Sequence, residues 1–278
     1  MHAVGGDVIS GINAQTVATE LLGALASRGL IEPLSTRDPK FDSAAAYDVS
    51  AEIFSRRCAR GEKPIGRKIG FTNRTIWEEY GVYSPIWAHV YDSTVTFLTE
   101  PIGALDISHL SQPRIEPEIV LHFRESPRHA RDDHELLSTI DWIAHGFEIV
   151  QTHFLDWKFR LPDTIADFGL HGALVVGPPQ DIRGLDDPVR RLRTFTVSLA
   201  RDGSVEASGT GANVLDGPLP AALHLMRVLS DQGIFESVRA GEIVTTGTLT
   251  AALPVRGGET WSTRLSGIEL PGLALRFE

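Results

Sequence analysis

Two glutamates one residue apart, Glu116 and Glu118, lie in the segment Arg-Ile-Glu-Pro-Glu-Ile-Val-Leu. The apolar residues around them predict a strand that enters a core. On a strand, residues i and i+2 point to the same face, with side chains roughly 7 Å apart. Two such carboxylates on a buried face repel each other and are costly to desolvate unless a cation lies between them. The pair therefore indicates a divalent-metal site, and a solvated strand face is the alternative.

A third carboxylate, Glu148, follows a predicted helix and is flanked by Phe147, Ile149 and Val150. We expect it at the start of a strand near the core, where it either pairs with a Lys or Arg or adds an oxygen donor to the glutamate pair. Three carboxylates without an accompanying Cys or His pair favour Mg²⁺ or Mn²⁺ over Zn²⁺. An ion that keeps positions open for water and substrate acts as a Lewis acid.

Two further segments combine charged side chains with apolar neighbours. Lys68 lies in an apolar run that ends in a glycine turn, so it is either an acid/base group or a surface lysine. The stretch 156–167, which includes Lys158 and Asp163, has the mixture of charged and apolar residues that is typical of loops lining a pocket.

A glycine-rich segment, 208–213, contains Gly209 but lacks the third glycine of a dinucleotide-binding motif. It indicates close approach of the backbone to a ligand, or a tight turn. The chain contains no G-x-S-x-G, P-loop, H-E-x-x-H or C-x-x-C motif. Five histidines fall on predicted loops or helix ends without metal-ligand spacing, and we predict that most lie at the surface: His129, His134, His145, His153 and His171.

The elements that must position these residues change in character along the chain. Two amphipathic helices are predicted at 13–28 and 43–60, joined by a loop at 33–41. Short β-type runs dominate from residue 63 onward, interrupted by helices predicted at 133–145 and 220–231. Because strands and helices do not alternate, we predict an α+β fold, with an N-terminal helical segment (1–62) packed on a mixed β-core (63–278).

Composition excludes several classes of partner. The net charge is −10 and the charges are mixed along the chain, which argues against nucleic acid or an anionic membrane as a partner. Cys58 is the only cysteine, so no internal disulfide can form, as is typical of a reducing compartment. We find no signal peptide and no apolar run long enough to cross a bilayer, and we therefore expect a cytoplasmic protein.

Seven stretches occur together in an order that is specific to one family. They are Lys68-Ile69-Gly70-Phe71-Thr72, Glu116-Pro117-Glu118, Phe147-Glu148-Ile149-Val150, Asp156-Trp157-Lys158, Asp163-Thr164-Ile165-Ala166-Asp167, Ser208-Gly209-Thr210-Gly211-Ala212 and Thr246-Gly247-Thr248-Leu249-Thr250. Through them the chain resembles the fumarylacetoacetate hydrolase superfamily, and within it the group of 2-keto-4-pentenoate hydratases and 4-oxalocrotonate decarboxylases.

The resemblance implies a mixed β-roll with Mg²⁺ or Mn²⁺ held by Glu116, Glu118 and Glu148. The ion would chelate the carboxylate and 2-oxo oxygen of a small unsaturated 2-oxo acid, with Lys68 or Asp163 as the catalytic acid/base group. The resemblance also implies a homo-oligomer. The residues it places against the substrate are Phe71, Ile86, Lys158, Gly209 and Thr248.

The reaction stays open between several possibilities. We place a hydratase first, because the group as a whole is hydratase-like. A decarboxylase is the alternative, because Ile86 stands where hydratases of the group usually carry an aspartate, and because Lys158 and Arg160 could bind a second carboxylate. A hydrolase of C–C bonds ranks lower, since the stretch 71–87, which could form a lid helix, offers no His–Glu pair. A non-catalytic metal- or ligand-binding protein is the last possibility.

Overall fold

This computed structural model describes residues 11–278, which contain two β-sheets and eight α-helices. The helices are α1 (Ala14–Ser27), α2 (Leu34–Arg37), α3 (Ser43–Ala59), α4 (Trp77–Tyr80), α5 (Asp133–Ser138), α6 (Leu161–Ala166), α7 (Pro188–Thr194) and α8 (Pro218–Gln232). The strands are β1 (Pro64–Gly70), β2 (Ile86–Tyr91), β3 (Val95–Phe97), β4 (Ile102–Leu105), β5 (Arg114–Phe123), β6 (Ile140–Val150), β7 (His171–Val176), β8 (Gln180–Asp181), β9 (Thr196–Arg201), β10 (Ser204–Thr210), β11 (Ile243–Thr245), β12 (Leu253–Pro254), β13 (Thr260–Ser266) and β14 (Ala274–Phe277).

The larger sheet has nine strands and contains both long strands of the protein. Its path is β2-β1-β11-β5-β6-β7-β3, with β12 pairing β5 and β8 pairing β6. The smaller sheet has five strands in the order β10-β9-β13-β14-β4. Buried side chains from both sheets, among them Ile115, Phe147, Leu199, Trp261 and Leu275, form a shared apolar layer. Parallel and antiparallel pairs occur in each sheet, so the predicted mixed β-core is confirmed.

The N-terminal helices form where the sequence predicts them. The side chain of Asn13 accepts a hydrogen bond from the amide of Thr16 and caps α1, and Asp42 caps α3 in the same way. Buried Leu21 of α1 joins the same apolar cluster as Ile69 of β1. The division into 1–62 and 63–278 stays a prediction, and residues 1–10 lie outside the described part of the chain. Within that part, no helix is long and apolar enough to span a membrane.

The predicted helix at 133–145 is wrong over its second half. The helix α5 ends at Ser138, and the chain then enters β6, which runs for eleven residues to Val150. Glu148 consequently lies near the end of a long strand and not at its start. The last eight residues of β6 are all buried. A strand buried on both faces shows no apolar–polar alternation, so its pattern cannot be distinguished from that of a buried helix.

Three shorter segments also differ from the prediction. The stretch 33–41, expected as a loop, contains the single-turn helix α2. The stretch 71–87 forms a 3₁₀ turn, the single-turn helix α4 and the start of β2, which was not predicted. The stretch 208–213, expected as a turn, begins as the end of β10 and closes with a 3₁₀ turn. The single-turn helices are too short for periodicity to reveal them, and β2 is buried at every position and therefore shows no alternation.

Candidate metal centre and adjoining cavity

The two long strands bring three carboxylates together. Glu116 and Glu118 share one face of β5, and Glu148 on β6 lies directly opposite Glu116 in the antiparallel register. One carboxylate oxygen from each of the three lies within 4.8 Å of the others. All three residues are buried, and Glu118 and Glu148 are completely so. Their acidic cluster is thus formed by main-chain pairing in the centre of the larger sheet.

One oxygen of each fully buried carboxylate accepts hydrogen bonds, and the other accepts none from the described residues. Glu118 Oε2 accepts hydrogen bonds from the hydroxyl of Thr245 and the amide of Gly247 (2.8 Å). Glu148 Oε1 accepts from the Nδ1–H of His171 (2.8 Å). Glu118 Oε1 and Glu148 Oε2 are buried and have no hydrogen-bond partner among the described residues. Buried carboxylate oxygens that accept no hydrogen bond fit a hard divalent cation, which binds such donors.

A buried lysine supplies the cluster with a positive charge. Lys68 on β1 is only 2% exposed, so it is not the surface lysine of the alternative interpretation. Its ammonium lies 3.3 Å from Glu148 Oε2 and donates to the carbonyl of Gly169 (2.9 Å). A Cβ atom at Gly70 would lie 2.9 Å from Lys68 Nζ, so a side chain there would displace the ammonium. One ammonium among three carboxylates leaves the cluster with an excess of negative groups.

Burial and the excess of carboxylates over ammonium groups determine the pKa values of the three glutamates and of Lys68. Burial raises the pKa of Glu116, helped by repulsion from Glu148 and opposed by Lys68, to about 7. Burial, together with repulsion from both neighbouring carboxylates, raises the pKa of Glu118 well above its ordinary value. Burial opposes ionisation of Glu148 as well, but Lys68 and His171 lower its pKa to about 2. Burial alone would lower the pKa of Lys68, and attraction by the carboxylates raises it.

A narrow cavity of about 20 Å³, with room for about one water molecule, adjoins the cluster. Lys68, Gly70 and Glu116 form its polar end. Its remaining walls are mostly apolar and aromatic, formed by Phe71, Ile76, Tyr80, Val150, Trp157 and Leu170. A concave, largely apolar space with a few convergent charged groups is typical of a site for a small molecule.

The other residues predicted to contact a substrate are placed differently. Ile86 of β2 is buried and pairs with Gly70, which puts it beside the polar end of the cavity. Thr248 is buried, and its hydroxyl donates to the carbonyl of Thr250 (2.8 Å). Lys158 is exposed. A Cβ atom at Gly209 would lie 1.9 Å from the carbonyl oxygen of Leu249, so the close approach there is to the protein's own backbone.

Asp163, the second predicted acid/base residue, is completely buried but does not line the cavity. Its carboxylate accepts hydrogen bonds from the amide (2.8 Å) and the hydroxyl (2.6 Å) of Ser35 and from the amide of Arg160 (2.8 Å). These bonds tie the first turn of α6 to α2. They indicate a structural role for Asp163 at the junction of the two helices.

Sequence reasoning missed the residues that support the site from neighbouring elements. The prediction that most of the five histidines lie at the surface is wrong for His145, His153 and His171, which are buried. His171 orients Glu148 from the neighbouring strand β7. No spacing relates these two residues in the sequence, and only the pairing of β6 with β7 brings them together. The aromatic walls contributed by Tyr80 and Trp157 likewise depend on tertiary packing.

Comparison with known proteins identifies the family. No protein-family model matches the chain. It is 30% identical to a 2-hydroxyhexa-2,4-dienoate hydratase of Comamonas testosteroni, covering 91% of this chain and 94% of that protein. It is 32% identical to a 4-oxalocrotonate decarboxylase of Pseudomonas sp. strain CF600, covering 85% and 87%. The chain belongs to the group of 2-keto-4-pentenoate hydratases and 4-oxalocrotonate decarboxylases. The assignment to this group from the sequence motifs is confirmed.

A solved structure of a similar decarboxylase has the same fold. The 4-oxalocrotonate decarboxylase of Pseudomonas putida G7, in complex with magnesium and adipate, superposes with a TM-score of 0.85 at 28% identity and covers 95% of this chain and 97% of that chain. The α+β fold predicted for this group is therefore confirmed. Members of the group are hydratases and decarboxylases, so the chain is an enzyme of the lyase type, as predicted.

Proposed function

We propose that this enzyme is a divalent-metal-dependent lyase that decarboxylates a small unsaturated 2-oxo acid, with Mg²⁺ or Mn²⁺ as its ion. The observation that carries the proposal is the cluster of Glu116, Glu118 and Glu148 at the polar end of a mostly apolar cavity. Two buried oxygens of this cluster accept no hydrogen bond from the described residues. The complex of the similar decarboxylase from Pseudomonas putida G7 with magnesium and adipate supports it. A homo-oligomeric assembly stays a prediction.

The three glutamates would hold the ion, which when bound supplies Lewis-acid polarisation of the 2-oxo group. His171 fixes the orientation of Glu148, and Thr245 fixes that of Glu118, so the donor oxygens are positioned before any ligand binds. Lys68 stays protonated, because the carboxylates raise its pKa. Its ammonium faces the polar end of the cavity, where it stabilises negative charge that develops on the substrate and can return a proton to carbon.

The cavity walls favour loss of CO₂ over addition of water. In decarboxylation the bond between a distal carboxylate and its neighbouring carbon breaks, and the electron pair passes through the conjugated double bond toward the 2-oxo oxygen. A mostly apolar wall disfavours the charged carboxylate relative to neutral CO₂ and excludes water. Among the residues that line this cavity, Glu116 is the only carboxylate, and it belongs to the proposed metal ligands. Ile86 adds no polar group beside it.

Hydration of a 2-hydroxydienoate to a 4-hydroxy-2-oxo acid is the second candidate. The observation in its favour is the coverage of the hydratase relatives: the Comamonas testosteroni hydratase matches 91% of this chain, against 85% for the Pseudomonas sp. strain CF600 decarboxylase, at similar identity. Both reactions use the same polar end of the site and differ at its far end.

The two reactions are separated by incubating the Mg²⁺-loaded enzyme with 2-oxohex-3-enedioate and with 2-hydroxypenta-2,4-dienoate. We expect CO₂ release from the first substrate. Loss of the ultraviolet absorbance of the second substrate without CO₂ release would instead establish hydration. Glu118→Gln should abolish turnover and weaken Mg²⁺ binding measured by calorimetry. A Glu118→Gln variant with normal activity and normal Mg²⁺ affinity would contradict the proposed site.

A further inference from the structure

An arginine continues the line of functional side chains along β5. Arg114 precedes Glu116 by two residues and Glu118 by four, so all three lie on the same face of the strand. Each step along that face is roughly 7 Å. Arg114 also lies opposite Val150 in the register of β5 and β6, and Val150 lines the cavity. The strand therefore presents a cation at one position and the metal-binding carboxylates at the next two.

Two aromatic residues of the cavity wall hold the guanidinium of Arg114. Its Nη1 donates to the hydroxyl of Tyr80 (2.6 Å), and its central carbon lies 4.3 Å from the ring centroid of Trp157. Both Tyr80 and Trp157 line the cavity. Stacking on an aromatic face restrains the guanidinium plane while leaving its edge available for hydrogen bonds.

Most of the hydrogen-bonding capacity of this guanidinium is not used by the described residues. It has five N–H donors, and the Tyr80 hydroxyl is the one acceptor that the structure gives to its side chain. The nearest carboxylate is that of Glu79, at 3.9 Å, and the Glu79 side chain is 58% exposed. An exposed pair at that distance contributes little and is readily replaced. Arg114 does not itself line the cavity but contacts two residues that do, Tyr80 and Trp157. Its side chain is 21% exposed, so a ligand that extended past these residues would meet a cation largely shielded from water.

We propose that Arg114 recognises a second, distal carboxylate of the substrate and so makes the cavity selective for dicarboxylic 2-oxo acids. This inference rests on the proposed function of the same site, since it assumes that the 2-oxo acid head binds at the glutamate cluster. The planar fork of an arginine matches the two oxygens of a carboxylate. The basic residues that the sequence suggested for this task, Lys158 and Arg160, are both exposed, whereas the Arg114 side chain is only 21% exposed.

Binding of the distal carboxylate by Arg114 predicts how KM and kcat change when this residue is replaced. If the distal carboxylate leaves as neutral CO₂, its contact with Arg114 is strongest in the ground state and weakens in the transition state. An interaction of that kind improves binding without lowering the barrier. Arg114→Met should therefore raise KM for a dicarboxylic substrate while kcat stays the same or increases. A purely structural role of Arg114 would lower kcat together with the amount of folded enzyme.

The test compares two ligands that differ only at the distal end, 2-oxoadipate and 2-oxohexanoate, by calorimetric titration of the Mg²⁺-loaded enzyme. Since a hydrogen bond to a charged group contributes about 1.5–3 kcal/mol, the wild type should prefer 2-oxoadipate by roughly 10-fold to 100-fold. Arg114→Met should remove this preference and leave the affinity for 2-oxohexanoate unchanged. Arg114→Lys, which keeps the charge without the fork, should retain part of the preference. Arg160→Met, at an exposed arginine, is the matched control and should behave as the wild type.

The outcomes separate this inference from the proposed function. Equal, Mg²⁺-dependent binding of both ligands by the wild type, or a preference that survives in Arg114→Met, would overturn the role of Arg114 and leave the 2-oxo acid site intact. Failure of both ligands to bind the Mg²⁺-loaded wild type would overturn the proposed function itself. If Arg114→Met does not fold, Tyr80→Phe provides the second measurement: losing the hydroxyl that holds the guanidinium should reduce the preference for 2-oxoadipate several-fold, and an unchanged preference would count against the role.

Discussion

Replacing Lys68 with methionine tests whether the glutamate cluster is built for a dication. The substitution keeps the length of the side chain and removes its charge, which lies 3.3 Å from Glu148 Oε2 in a fully buried setting. Removing one partner of a buried ion pair costs about 3–5 kcal/mol, because the other charge is left uncompensated. For a protein of this size each kcal/mol lowers the melting temperature by about 2 °C. In EDTA at pH 8.5, Lys68→Met should therefore melt about 6–10 °C below the wild type.

The response of this variant to Mg²⁺ carries the decisive information. The ammonium of Lys68 and a bound dication repel each other, so removal of the ammonium should strengthen Mg²⁺ binding. A ligand that binds only the folded state stabilises it in proportion to the logarithm of its concentration relative to its Kd. Adding Mg²⁺ should therefore raise the melting temperature of Lys68→Met by more than it raises that of the wild type. The difference in melting temperature between the two proteins should become smaller.

The assay is thermal unfolding followed by calorimetry, with EDTA and with Mg²⁺, for the wild type, Lys68→Met and Lys158→Met. Lys158 is exposed, so its replacement should change neither the melting temperature in EDTA nor the response to Mg²⁺. If Lys68→Met melts below the wild type by the same amount with and without Mg²⁺, no dication enters the cluster and the proposed metal site is refuted.

Single contacts support three further predictions. The fold raises the pKa of Glu116 from its ordinary 4.5 to about 7, so ionising this residue destabilises the metal-free protein. As the pH rises from below 4.5 to above 7, the wild type should lose about 3 kcal/mol of stability relative to Glu116→Gln. Melting curves in EDTA would measure this loss. Asp163→Asn should cost about 1–3 kcal/mol in urea unfolding through its bonds to α2 and α6 while turnover per folded molecule is retained; a large loss of kcat would restore Asp163 as a catalytic residue. Gly209→Ala should destabilise the protein by about 1–3 kcal/mol, because its new Cβ would lie 1.9 Å from the Leu249 carbonyl oxygen. Gly23→Ala in α1 has open space around it and should stabilise the protein by about 0.5–1 kcal/mol in the same unfolding assay.

The sequence predicts those parts of the site that depend on local geometry. The shared face of Glu116 and Glu118 follows from the two-residue period of a strand. The N-terminal helices follow from their apolar spacing and their capping residues Asn13 and Asp42. Glu148 enters the cluster because of the register of β5 and β6, which the sequence does not encode in any short pattern. The motif resemblance identified Glu148, whereas its local pattern did not.

The remaining parts of the site depend on contacts between distant segments. The strand β6 was predicted partly as a helix because its residues are buried on both faces and show no alternation. His171 contacts Glu148 only because β7 lies beside β6, and Arg114 is held only because α4 brings the Tyr80 hydroxyl to the start of β5. A histidine or an arginine is more often an ordinary polar residue than a functional one, and its neighbours in space decide between the two.

The charge imbalance of the cluster should lower the stability of the metal-free protein. A purely structural arrangement would give every buried carboxylate oxygen a donor, as Asp163 receives from Ser35 and Arg160. Glu118 and Glu148 each accept hydrogen bonds on one oxygen only. The second oxygen of Glu148 has the Lys68 ammonium at 3.3 Å, and that of Glu118 has no hydrogen-bond partner among the described residues. Such an arrangement is destabilising unless a cation occupies it. The contrast between Asp163 and the glutamate cluster therefore distinguishes a buried acid that supports the fold from acids held ready for a ligand.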